Sequence, residues 1–287
     1  MSDCMEASAS RTRILALVIM AALLCPLSAS AIGTITDGDV TFGYTNDFNT
    51  SRGNTVDTQF VGAAAGDLTW ESWWFFRVSG DGRETAFGTP DLENYSGSVG
   101  QIDWIDPGGS GLFSASLAFE VIDTGLDMGN LFQNLSVTNT SGASLTIDIF
   151  HYSDLDLAGT FNGDSAILAT NPDGIEIGVS DGADYAPLIG YGATAYQVTA
   201  WRTLLRDLTD NNVDNFDNTG LPFASDDFTG GFQWSTTVAA GSTETFLTQF
   251  ASNAPLLPRG ASVIPEPSSA VLSGLGLIWL GLRARRD

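Results

Sequence analysis

Two aspartates with one residue between them, Asp154 and Asp156, follow His151-Tyr152-Ser153 and precede the turn Asn162-Gly163-Asp164. The strand pattern Leu145-Thr146-Ile147-Asp148-Ile149 continues into this segment. It sets His151, Ser153, Leu155 and Leu157 on one face and both aspartates on the other. Asp164, and Asp173 of the next turn Asn171-Pro172-Asp173-Gly174, could swing toward them. Asp154, Asp156, Asp164 and Asp173 then form an all-oxygen ligand set. That chemistry suits calcium, which takes six to eight oxygens from carboxylates and turn carbonyls. Calcium is the only cofactor the pattern suggests. The plainer alternative is that Asp and Asn shape these turns through side-chain-to-backbone bonds.

A second candidate is the aromatic run Trp70-Glu71-Ser72-Trp73-Trp74-Phe75-Phe76-Arg77-Val78. As a strand it presents Trp70, Ser72, Trp74, Phe76 and Val78 on one face, suited to a core. Glu71, Trp73, Phe75 and Arg77 fall on the other. There Trp73 could stack on a sugar ring while Glu71 and Arg77 bond its hydroxyls. The alternative is a central strand buried on both faces, since large aromatics commonly fill sandwich cores.

Three further patterns are weaker. Asp210, Asn212 and Asp214 occupy positions 1, 3 and 5 of an EF-hand loop, but Asn215 replaces the turn glycine and Leu221 the bidentate glutamate. A looser calcium loop would have to draw on Asp217, Asp226 or Asp227. Gly178-Val179-Ser180-Asp181-Gly182 spells G-x-S-x-G, yet Ala183-Asp184-Tyr185-Ala186-Pro187 starts no helix, so a hairpin turn is expected rather than a nucleophile elbow. His151 is the only histidine, which excludes multi-histidine zinc sites. Nothing marks any two of the many acids as sharing a cleft, so the expectation is a protein that is not an enzyme.

Charge and cysteine usage narrow the classes. The 287 residues carry 34 acids against 11 basic residues, all arginines, for a net charge of −23. Five of those arginines lie in the terminal segments, so the domain between is more acidic still. Such a surface repels nucleic acid and anionic lipid and attracts divalent cations. Without lysine there is no P-loop and no Schiff base. Cys4 and Cys25 both precede the domain, so it has no disulfide and no thiolate.

The elements that must position these groups read as strands. Period-2 segments recur between Gly, Asp, Asn, Ser and Thr turns, as in Gly174 to Val179 and Ala195 to Ala200. Phe232 to Val238 and Glu244 to Phe250 are predicted to pair as a closing hairpin across Ala239-Ala240-Gly241-Ser242. Trp201, Leu204, Leu205 and Leu208 at i, i+3, i+4 and i+7 predict one short helix. The expected fold is all-β, a two-sheet antiparallel β-sandwich, jelly-roll-like or Ig-like, spanning residues 32–253. Residues 254–268, with four prolines, read as a linker.

The ends predict export. Arg11 and Arg13 precede the apolar run Ile14 to Leu24, Pro26 breaks it, and Ala29-Ser30-Ala31 is a small-x-small cleavage site, so residues 1–31 read as a signal peptide. Asp3 and Glu6 are unusual there, which leaves Met5 as an alternative start. At the other end Pro265-Glu266-Pro267 leads into an uncharged run, closed by Arg283, Arg285 and Arg286; residues 269–287 read as a transmembrane segment with a basic tail. At about 1.5 Å per residue the run covers roughly 20 Å, short of a ~30 Å hydrocarbon core, which suits a temporary anchor. The arginines favour a cytoplasmic C-terminus.

Tripeptide, span and terminal arginines in this order resemble the PEP-CTERM sorting signal of bacteria with a Gram-negative envelope. The resemblance covers the tail and the signal peptide. It implies recognition of Pro265, Glu266 and Pro267 by a membrane exosortase, with Arg283, Arg285 and Arg286 as the stop. It also implies a membrane-anchored intermediate destined for the cell surface, among proteins of exopolysaccharide and biofilm matrix. The leading expectation is therefore a non-enzymatic structural or adhesive protein associated with exopolysaccharide. The alternatives are a calcium-dependent carbohydrate-binding module and a secreted hydrolase.

Overall fold

The structure, a computed structural model, describes residues 32–45, 58–62 and 66–262. The strands in chain order are β1 (Ile32–Asp37), β2 (Val40–Thr45), β3 (Thr58–Gly62), β4 (Gly66–Asp67), β5 (Thr69–Val78), β6 (Thr85–Ala86), β7 (Leu92–Ser96), β8 (Val99–Trp104) and β9 (Phe113–Gly125). They continue as β10 (Met128–Asn139), β11 (Leu145–Leu155), β12 (Asp164–Asn171), β13 (Gly174–Asp181), β14 (Asp184–Tyr191), β15 (Ala195–Ala200), β16 (Phe223–Asp226), β17 (Phe228–Val238) and β18 (Thr243–Ser252). One helix, α1 (Thr203–Thr209), follows β15.

Every named strand pair is antiparallel, as the turn-punctuated pattern predicts. A nine-stranded sheet runs β16-β12-β13-β14-β18-β10-β9-β8-β7, a five-stranded sheet β15-β17-β11-β5-β6, and a small sheet β1-β2-β3-β4. The five-stranded and small sheets pack on the nine-stranded one. Trp74 of β5 donates its indole N–H to Gln133 of β10 at 3.1 Å. The Phe60 ring of β3 meets Phe250 of β18 at 5.0 Å, and Phe42 of β2 meets Phe119 of β9 at 5.4 Å. One apolar cluster joins all three sheets. At one contact between the two large sheets only a glycine fits: a Cβ on Gly190 of β14 would stand 2.6 Å from Cγ of Phe232 on β17. Gly190→Ala is expected to cost roughly 1–3 kcal/mol through forced repacking, read as a lower denaturation midpoint.

Two local expectations change. The strands before and after Ala239-Ala240-Gly241-Ser242 do not pair as a hairpin. β17 joins β11 and β15, whereas β18 joins β10 and β14 in the facing sheet. Asn139 holds this crossing. Its side-chain amide donates to the Val238 and Ala143 carbonyls at 2.8 and 2.7 Å, and its backbone bonds Ser242 and Gly241 at 2.9 and 3.0 Å. The second change concerns Ala254 onward, which lies against the outer face of the large sheet before the proline-rich segment ends. Leu256 and Leu257 pack on Phe132, Ile189, Tyr191 and Leu247, and Ser262 donates to Glu120 at 2.6 Å.

As the sequence predicts, G-x-S-x-G closes the β13–β14 hairpin, with Asp181 paired to Asp184 across Gly182-Ala183. Gly182 takes φ +58°, which suits a residue without Cβ. Among the described residues no helix is long and apolar enough to cross a membrane. The expected signal helix, transmembrane helix, Pro265-Glu266-Pro267 and terminal arginines lie outside the described residues.

Candidate functional site

Four neighbouring strands of the five-stranded sheet finish at one end. β15 and β11 stop there and β17 and β5 start there, with Ala200 and Leu155 each paired to Phe228, and Leu155 also to Thr69. The residues just beyond these pairs converge. Trp70, Asp154, Asp156, Phe161, Trp201 and Asp227 line one open pocket of about 380 Å³, within the size range of small-molecule sites.

Each side chain arrives by a local cause. The β5–β11 register slips between Asp154 and Leu155, so that Asp154 faces Glu71 while Leu155 faces Thr69. Trp70 is the extra residue of this bulge and turns outward, 44% exposed, although strand alternation assigns it to the core face. Trp201 precedes α1 rather than joining it. The helix buries Leu204 and Leu208, while Trp201 remains 42% exposed under the Arg202 guanidinium, 4.2 Å from its ring. Its backbone N–H donates to the Asp227 carbonyl at 3.0 Å, which ties the two pocket residues together. Asp156 is held by its N–H to the Leu68 carbonyl at 3.2 Å.

The acids of this pocket are close together. One carboxylate oxygen from each of Asp154, Asp156 and Asp227 lies within 4.8 Å of the other two. Asp154 is 1% exposed. One of its oxygens accepts from the Tyr152 hydroxyl at 3.4 Å, and the other has no partner; Asp227 likewise keeps one buried oxygen unpartnered. No arginine among the described residues is ion-paired to any of the three. Burial, with the charges of Asp227, Asp156 and Glu71 adding, pushes the Asp154 carboxyl up to about 9. Burial and the neighbouring Asp156 and Asp226 raise Asp227 to about 6, and burial raises Asp156. Asp164 is fully buried beside the group. Burial first, then Asp181, lifts it to about 7.

The sequence-predicted ligand set is thus partly assembled. Asp154 and Asp156 share the pocket, and Asp164 lies behind it. Asp173 sits at the other end of β12 in an exposed Asx turn, its N–H bonded to Asn171 at 3.0 Å, too far away to join them. Asp227, which the pattern singles out only as one option for a looser loop, takes the third place. No local spacing reveals this, because it depends on β17 pairing with β11.

The aromatic platform expected from Trp73, Glu71 and Arg77 is corrected: all three are buried. Trp73 donates to the Phe87 carbonyl at 2.6 Å. Glu71 contributes to the site only as a buried charge opposite Asp154. Arg77 is ion-paired to Glu84 and Asp148, each at 2.5 Å, and donates to Asn215 and the Asp214 carbonyl at 2.6 and 2.8 Å. These bonds fasten the acidic loop 210–218 over the outer face of β5 and β11, where Phe216 packs on Phe150 at 5.4 Å. His151 faces the interior between the sheets, near Ser72 at 3.3 Å and Gln133 at 3.5 Å. Burial lowers it to about 3, so it stays neutral and outside the pocket.

No protein-family model and no curated protein matches the chain. Solved structures do match in shape. A bacterial glucoamylase complexed with acarbose superposes with a TM-score of 0.53 at 10% identity, over 78% of this chain and 32% of that one. A galactose mutarotase-like protein from Lactobacillus casei superposes with a TM-score of 0.50 at 9% identity, over 77% of this chain and all of that one. The chain therefore spans about a third of the glucoamylase and the full length of the mutarotase-like protein. The likeness is one of fold. That this fold is shared with a glucoamylase and a mutarotase-like protein overturns the expectation of a non-enzymatic structural or adhesive protein. The expectation that the chain is not an enzyme falls for the same reason.

Proposed function

We propose that this chain is an exported carbohydrate-active enzyme that works on a neutral sugar in the pocket between Trp70 and Trp201. The single observation behind this reading is the convergence of three carboxylates with two partly exposed tryptophans, Trp70 and Trp201. Sugar rings stack their C–H faces on indoles, and the acids then meet the ring oxygens and hydroxyls from the side. Tryptophans also supply large contact area at little conformational cost. An oxygen spacing within 4.8 Å is nearer the ~5 Å of close-set carboxyl pairs than the ~6.5–9.5 Å that admits a water between them. Of the pocket-lining side chains, only the carboxylates can exchange a proton with the substrate or hold an electrophile, so the chemistry falls to them. Anionic sugars are disfavoured by the same charges.

In this reading the signal peptide carries the enzyme across the inner membrane and the tail after Pro265-Glu266-Pro267 anchors it there temporarily. An exosortase processes it there, where exopolysaccharide is the available substrate or product class. The test is catalysis by the full chain in detergent. Anomer interconversion of fresh α-D-glucose and α-D-galactose is followed by polarimetry, and reducing-end release from neutral glucans by colour. Asp227→Asn is expected to reduce the active reaction at least 100-fold with the fold intact by circular dichroism. Rates equal to buffer in both assays, or an unaffected variant, contradict the proposal.

A further inference from the structure

We infer that Asp154, Asp156 and Asp227 hold a divalent cation, calcium by its chemistry, at the floor of the tryptophan pocket. Three carboxylates, from the end of β11 and from the residue before β17, each contribute one oxygen to a space within 4.8 Å, the scale of a single coordination shell. The donors are all hard oxygens, with neither nitrogen nor sulfur among them, which selects calcium, magnesium or manganese over zinc and copper. An independent observation points the same way. Asp154, a lining residue of the pocket, is 99% buried, yet one of its oxygens has no hydrogen-bond partner, and Asp227, also in the lining, keeps a second such oxygen. Buried carboxylates are normally hydrogen-bonded or paired; the chain has no lysine, and among the described residues no arginine is ion-paired to these three. A cation satisfies all three at once.

Calcium is favoured over magnesium because three protein ligands leave several positions open. Calcium tolerates six to eight ligands in irregular geometry, whereas magnesium requires a near-ideal octahedron and gives up water reluctantly. The open positions face the space between Trp70 and Trp201, where vicinal hydroxyls of a stacked sugar can complete the shell. This role toward a sugar rests on the carbohydrate reading; the ion site itself does not. Asp164 remains behind the site and Asp173 far from it, so the ligand set differs from that suggested by the sequence.

The test uses the full chain, stripped with EDTA and dialysed into 0.15 M salt to suppress loose binding to the acidic surface. Terbium serves as the probe, because Trp70 and Trp201 lie close enough to sensitise its luminescence. Calcium competes it off, and calorimetry with calcium chloride gives the stoichiometry. One saturable ion per chain is expected, with affinity at least 10-fold weaker in Asp227→Asn and in the half-buried Asp156→Asn, and unchanged in Asp173→Asn. Absence of saturable binding up to millimolar calcium, or equal binding by all variants, overturns the site. Each variant is checked by circular dichroism, and either aspartate variant alone suffices if the other unfolds. Neutral-sugar binding is measured in parallel with calcium and with EDTA. Ion binding without sugar binding rejects the carbohydrate reading and keeps the cation; sugar binding without an ion does the reverse.

Discussion

Arg77→Met is expected to be the most damaging single change outside the apolar core, lowering stability by roughly 3–5 kcal/mol. The guanidinium is buried and makes four polar contacts, to Glu84, Asp148, Asn215 and the Asp214 carbonyl, and lies 5.4 Å from the Phe150 ring. Methionine fills much of the volume but leaves Glu84 as a buried carboxylate without its cation. Burial already raises the Glu84 carboxyl above its ordinary value even with Arg77 present. Losing the arginine raises it further, so the deficit is greatest above neutrality and shrinks as acid protonates Glu84. At about 2–4 °C per kcal/mol for a domain of this size, the midpoint should fall by roughly 10 °C at pH 8. Arg77→Lys keeps the charge but not the planar fork, and should recover only part of the loss. A midpoint within 2 °C of the parent for Arg77→Met would show that the 210–218 loop is held by other contacts.

The opposite sign is expected at Asp154. In the metal-free protein its carboxyl titrates near 9, against 3.8 for the ordinary group. Between those values the folded chain holds a proton that the unfolded chain has released, so stability falls as pH rises through this window. At pH 7 the penalty is on the order of 4 kcal/mol. Asp154→Asn removes the titration and keeps the shape. It is expected to raise the midpoint by roughly 10 °C at pH 7–8 in EDTA, and by much less at pH 5. Thermal scans across pH read this directly. An unchanged midpoint at every pH would mean that Asp154 is compensated in a way the structure does not show. The same substitution should weaken cation and sugar binding, so stability and function oppose each other at this position.

Much of the framework was legible because its signals are local. Alternation in Leu145 to Ile149 and the Asp181-Gly182 turn each depend on neighbours in the chain, and both appear as predicted. The short helix was visible in Leu204 and Leu208. What failed depends on partners distant in sequence. Apolar strands joined by four small residues look like a hairpin, yet β17 and β18 separate because each finds a longer partner in a different sheet. Trp70 reads as a core residue until the bulge opposite Asp154 and Leu155 turns it outward. Arg77 and Trp73 read as a platform until the loop from Asp210 covers Arg77 and the Tyr44 and Trp104 rings pack on Trp73. The candidate site was half legible for the same reason. Asp154 and Asp156 are neighbours in sequence, but Asp227 and Trp201 join them only through β17 and β15.

The central claim is that a neutral sugar occupies the space between Trp70 and Trp201. Saturation-transfer difference NMR on the full chain tests this most directly, using a panel of neutral mono- and oligosaccharides with a uronic acid as the anionic comparison. Transfer to ring protons of a neutral sugar is expected, at least 10-fold weaker in the Trp70→Ala/Trp201→Ala variant and absent for the uronic acid. Equal transfer in parent and double variant, or none from any neutral sugar, would contradict it.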